Sequence, residues 1–128
     1  MQIKSAKDLT VYQKAYALAM EIFEASKGFP AEEKYSLIDQ MRRSSRSVCT
    51  NMREAWAKRR YEAHFVSKLT DADGENDETE TWLDFACDCE YLSKSDHVML
   101  TEKCRELGAM LGSMINAPTS FILKSSDL

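Results

Sequence analysis

The residues most able to do chemistry fall in the middle of the chain. Asp71-Ala72-Asp73-Gly74-Glu75-Asn76-Asp77 resembles the opening of a calcium-binding EF-hand loop. That loop needs a glycine at its sixth position and a bidentate glutamate at its twelfth. Asn76 and Trp82 stand there instead, so the oxygens that would close the coordination sphere are missing. Cys87-x-Cys89 invites a metal reading. Residues two apart on a helix point about 200° apart, so the two thiolates cannot face one ion. His64 and His97 are the only histidines, and neither has a partner at metal or triad spacing. No glycine-rich phosphate loop is present. The expectation is no metal, no cofactor, no catalytic residue and no small-molecule substrate.

Charge is the stronger signal. The net value of −4 hides a sharp sorting. From Met41 to Arg60 there are seven basic residues and one acid, and from Asp71 to Glu90 nine acids and no base. On a helix, Arg42, Arg46, Arg53 and Arg60 fall within about 40° of one another and form a ridge about 27 Å long. Asp73, Asp77, Glu80, Asp84 and Asp88 form a second ridge within about 80°. Two solvated faces that pair with each other, within or between subunits, are the first expectation. A groove that tracks phosphates along the arginines is the sharper one. A turn near Arg60 sets antiparallel pairs whose numbers sum to about 121, whereas the ridges match best near 130. That offset favours pairing of some ions across a subunit interface.

The elements that carry these residues read as helices. With 128 residues the chain makes one domain, and two Pro with four Gly are too few for the turns of a β-sandwich. Leu9, Tyr12, Tyr16, Ala19, Met20 and Phe23 repeat at helical spacing over about Asp8 to Lys27. Gly28, in a left-handed position, and Pro30 stop that segment. A second segment spans about Pro30 to Arg59, with Leu37, Met41, Ser44, Val48, Met52 and Ala55 as its buried stripe. A third spans about Tyr61 to Leu92, with Phe65, Leu69, Ala72, Asn76, Thr79, Leu83 and Ala86 on one face. A fourth starts at the cap pair Ser95-Asp96 and carries Leu100, Cys104, Leu107, Leu111 and Met114. Gly108-x-x-x-Gly112 on it suggests close packing of helices. Ala117-Pro118 ends it. The sum is an all-α, antiparallel up-down four-helix bundle over residues 1–117, with a tail at 118–128 bearing Phe121-Ile122-Leu123.

Trp82, Phe85 and Cys89 lie 100° to 160° from the core stripe of the third segment, on the side opposite the acidic ridge, by about 100° per residue. A second apolar face on one helix marks an interface, so self-association is expected. A wide stripe wrapping into the same core is the alternative. The start of the sequence has no apolar run of the signal-peptide kind, and no stretch reaches membrane-spanning length. Free thiols in a reducing cytoplasm are therefore expected for Cys49, Cys87, Cys89 and Cys104.

Several spaced blocks carry a family resemblance. These are Lys7-Asp8-Leu9-x-Val11-Tyr12-Gln13-Lys14-Ala15, Phe29-Pro30-x-Glu32-Glu33-x-Tyr35-x-Leu37, Gln40-Met41-Arg42-Arg43-Ser44 and Ser47-Val48-x-x-Asn51-x-x-Glu54-Ala55. Glu78-Thr79-Glu80-Thr81 and Leu111-Gly112-Ser113-Met114-Ile115 follow in order. Together they resemble the four-helix bundle proteins encoded by intervening sequences of 23S rRNA genes. They also resemble the related accessory variability determinant proteins of diversity-generating retroelements. The resemblance implies an up-down bundle assembled as a homopentamer. It implies a reverse transcriptase or nucleic acid as a partner. It offers Arg42, Arg43, Arg46, Arg53, Arg59 and Arg60 as contacts for an acidic partner. The leading expectation is a non-enzymatic, cytoplasmic, homo-oligomeric scaffold or adaptor. The runner-up is a nucleic-acid-binding accessory protein that uses the arginine ridge.

Overall fold

The computed structural model describes residues 3–127. Four α-helices make up the fold: α1 (Thr10–Ser26), α2 (Leu37–Ala57), α3 (Glu62–Asp88) and α4 (Lys94–Asn116). No strand occurs among the described residues. The buried stripes of α2, α3 and α4 are the expected ones, joined by Ile38, Ser45, Cys49 and Thr101. Apolar burial on this scale is the main stabilising term of such a fold.

The helix ends explain where the sequence reading slips. A 3₁₀ turn (Ala6–Asp8) precedes α1 and is held by a capping box between Ser5 and Asp8. Gly28 adopts no left-handed conformation, so Pro30 supplies the stop. The second segment does not run on from Pro30. Ala31–Glu33 form a separate 3₁₀ turn, and α2 begins only at Leu37. The carboxylate of Glu33 reaches over this break. It accepts from the Ser36 hydroxyl at 2.6 Å and, through its other oxygen, from the Tyr91 hydroxyl at 3.0 Å. These bonds hold the Glu33 carboxyl below its usual pKa, Ser36 contributing most. The α4 cap is Ser93, which accepts from the Asp96 amide at 3.1 Å, two residues before the expected start.

α3 stops four residues before the expected Leu92, with no glycine to mark it. Glu90 takes a left-handed φ of 64°. The Tyr91 amide donates to the Ala86 carbonyl at 2.9 Å and the Glu90 amide to the Cys87 carbonyl at 2.9 Å. This is a Schellman ending, which satisfies the last carbonyls of the helix.

Cross-helix bonds fix the register. Lys68 meets Glu54, Arg43 meets Glu75 and Glu78, and the buried Thr79 hydroxyl meets that of Ser44 at 2.8 Å. Early residues of α2 thus face late residues of α3, at sums near the 121 of a simple hairpin. Asn76 donates to the Cys104 carbonyl at 2.7 Å, and Asp84 contacts His97 at 2.7 Å. The close helix pairs are α1–α2, α2–α3, α3–α4 and α1–α4. Gly108 faces Asn76 and Asp73 of α3, but nothing packs on Gly112, so the glycine pair is not a close-packing motif. Beyond α4, Phe121 stacks on Phe65 with ring centroids 6.0 Å apart, and the Leu123 amide bonds the Arg59 carbonyl at 3.1 Å.

The buried face of α1 is rotated from the expected one. Val11, Tyr12, Ala15, Leu18, Ala19 and Ile22 are buried, whereas Tyr16 and Met20 are 55% and 46% exposed. Both faces carry apolar residues at helical spacing, and the larger side chains drew the reading to the outer one. No helix is long and apolar enough to cross a membrane, over the described residues.

Candidate functional site

The α2 arginines divide by what they touch. Arg42 donates through Nε to the Ser26 hydroxyl at 2.9 Å and through a terminal nitrogen to the Phe23 carbonyl at 3.4 Å. It therefore neutralises the partial negative charge at the C-terminal end of α1. Arg43 is bound to the Glu75 and Glu78 carboxylates of α3. Arg59 lies 4.0 Å over the Trp56 ring and donates to the Trp56 carbonyl at 3.2 Å. Arg46 and Arg53 approach only aromatic rings, Phe23 at 5.8 Å and Tyr12 at 5.9 Å. Among the described residues, Arg46, Arg53 and Arg60 have no carboxylate partner.

The expected pairing of the two ridges does not occur within the chain among the described residues. Arg43 alone bridges to α3, and its partners Glu75 and Glu78 lie off the acidic ridge. From that ridge, Glu80 binds Arg105 at 3.1 Å and Asp84 binds His97, both on α4. The hairpin register explains this. It sets the ridges out of step, so each helix finds nearer partners.

Arg46 and Arg53 rim a groove of about 520 Å³ between α1 and α2, lined also by Tyr12, Tyr16, Ala19, Met20, Cys49 and Thr50. Burial pushes the Cys49 thiol in its wall up to about 11, so that thiol stays protonated and inert. A second hollow of about 440 Å³ continues past Arg46 to Lys34, Tyr35, Ile38, Asp39, Arg42 and Arg43. Tyr35 there is 85% exposed. A strip of guanidinium groups thus runs beside exposed aromatic rings. Tyr16, Met20 and Tyr35 were missed as surface features. For Tyr16 and Met20 the signal was the second apolar face of α1, taken for core, whereas Tyr35 lies in the turn before α2.

The candidate interface residues of α3 lie apart from this groove. Phe85 is 54% exposed, with its ring centroid 5.9 Å from that of the half-buried Trp82. Trp82 packs partly on the core, and its indole nitrogen is buried without a partner. Phe85, Trp82 and the exposed Cys89 border a hollow of about 260 Å³ with Glu33, Ser36, Leu37 and Gln40. The second face is therefore real at Phe85 and Cys89 and half-absorbed at Trp82. Cys89 is exposed, Cys87 half-buried, and Cys49 and Cys104 buried, all as free thiols. No cluster of three metal-ligating side chains occurs among the described residues.

Comparison with known sequences places residues 7–113 within the 23S rRNA-intervening sequence proteins. The chain belongs to that family. A similar solved structure is a protein with unknown function from the S23 ribosomal protein family of Bacteroides thetaiotaomicron VPI-5482. The two share 30% identity and a TM-score of 0.78, over 87% of this chain and 99% of that one. Comparison with curated proteins gives no match. As a 23S rRNA-intervening sequence protein, the chain keeps its family blocks on α1, on α2 and the turn before it, and on α3 and α4. The arginine-rimmed groove lies between the first two.

Proposed function

We propose that this chain is an antiparallel up-down four-helix bundle that serves as a non-enzymatic, homo-oligomeric scaffold in the cytoplasm. The opposed numbering of the cross-helix bonds supports the bundle topology. Phe85 carries the oligomer. An aromatic ring more than half exposed next to a second aromatic, with two further exposed apolar residues on the separate outer face of α1, is surface that a lone small bundle has no reason to keep. Family resemblance favours five copies. Size-exclusion chromatography with light scattering tests the reading. A mass several times 14.6 kDa at micromolar concentration is expected, and a clean monomer overturns it.

A second reading has its own observation. Arg46 and Arg53 are free of carboxylates and flank exposed tyrosine, the combination that tracks a phosphate backbone and stacks bases. Titration of labelled RNA and DNA at two salt concentrations tests it. A binder gives a steep salt slope that Arg46→Ala and Arg53→Ala flatten.

A further inference from the structure

The ion pairs of the chain leave unspent charge of opposite sign on two separate faces. Arg46, Arg53 and Arg60 have no carboxylate, and Asp73, Asp77 and Asp88 have no cation, among the described residues. The two sets cannot meet within one molecule. Arg46 and Arg53 flank α1, whereas Asp77 and Asp88 are exposed on α3, and α1 and α3 are not a close pair. Each set also has an apolar companion. Tyr16 and Met20 line the basic groove, and Phe85 lies one turn from Asp88.

We propose that the α1–α2 groove receives the outer face of α3 from a second copy of this chain. Asp77 and Asp88 then lie along Arg46 and Arg53, and the Phe85 ring enters the groove beside Tyr16 and Met20. The groove of about 520 Å³ has room for an aromatic ring. Each face meeting its own copy would set like charges together, which is unfavourable. The contact is therefore head-to-tail, the kind that makes a ring where its rotation closes. This inference rests on the homo-oligomer reading and adds which faces meet.

Charge reversal tests it. One double variant carries Arg46→Asp and Arg53→Asp, and another carries Asp77→Arg and Asp88→Arg. All four positions are exposed, so unchanged helical circular dichroism is expected for both. Each variant alone should associate at least about tenfold more weakly than the parent chain, since like charges then face each other. One chain carrying all four substitutions should regain the assembly, because its reversed groove then meets a reversed α3 face at every contact, whatever the number of copies. Light scattering reads all three samples. A parent chain that is itself monomeric overturns both this inference and the homo-oligomer reading. Variants that keep the parent mass, or a fourfold-substituted chain that stays dissociated, overturn this inference alone. So does an Arg46→Asp, Arg53→Asp chain that keeps its mass and loses binding to labelled RNA, which would give the groove to nucleic acid.

Discussion

The Ser44–Thr79 contact offers a direct test of the α2–α3 register. Both residues are almost fully buried, and their hydroxyls lie 2.8 Å apart. The Thr79 hydroxyl has a second partner, the Glu75 carbonyl at 2.9 Å, whereas Ser44 has only the Met41 carbonyl at a long 3.4 Å. The two truncations should therefore differ. Thr79→Val leaves the Ser44 hydroxyl buried with a poor partner, a cost of about 2 kcal/mol. Ser44→Ala leaves Thr79 still bonded to its own helix, a cost nearer ~1 kcal/mol. The double variant removes both hydroxyls and should cost less than the two singles added. A coupling energy of about 1 kcal/mol is expected. Urea unfolding followed by circular dichroism gives each value, with the denaturant slope unchanged across the set. A coupling below about 0.3 kcal/mol, the additive limit, would refute the contact and the register built on it.

Three further outcomes follow from particular side chains. Glu90→Gly relieves a left-handed residue at the end of α3 and should raise stability by about 0.5–1 kcal/mol; a lowered urea midpoint would contradict this. Thiol reagents at pH 8 should modify Cys89 first. Cys49 and Cys104, pushed up to about 11 and about 12 by burial, should react only after unfolding, and peptide mass mapping that finds equal rates would count against the fold. Tyr91 should titrate near 12 rather than 10, because it donates to the Glu33 carboxylate. A phenol raised on folding adds stability below its unfolded value, so stability should fall between about pH 10 and 12, and Tyr91→Phe should remove that part of the decline. Absorbance of the ionised phenol reads the titration.

The helices were legible because three of the four bury one stripe against partners on either side. All seven core positions expected on α3 are buried, Asn76 and Thr79 included. Those two are tolerated there because α4 and α2 supply a carbonyl and a hydroxyl. The ends were less legible, since they are decided by contacts distant in sequence. Glu33 caps α2 from outside the helix while also bonding Tyr91, 58 residues away. Glu90 performs a turn that sequence rules reserve for glycine.

The surface was legible in kind and not in partner. Charge sorting along α2 and α3 is a property of composition and spacing, so it survives folding unchanged. Which charges remain available depends on register, which the sequence constrains only loosely. Had the ridges aligned, Arg46 would have met Asp84 and little basic surface would be left. The hairpin instead couples Arg43 to Glu75 and Glu78 and turns Arg46 toward Phe23. The misreading of α1 has the same origin. Tyr16 and Met20 repeat at the spacing of a buried stripe, and only the position of α2 turns them into the wall of an open groove beside Arg46 and Arg53. Register thus decides both results at once. It strands the arginines, and it sets apolar side chains next to them where a partner can use both.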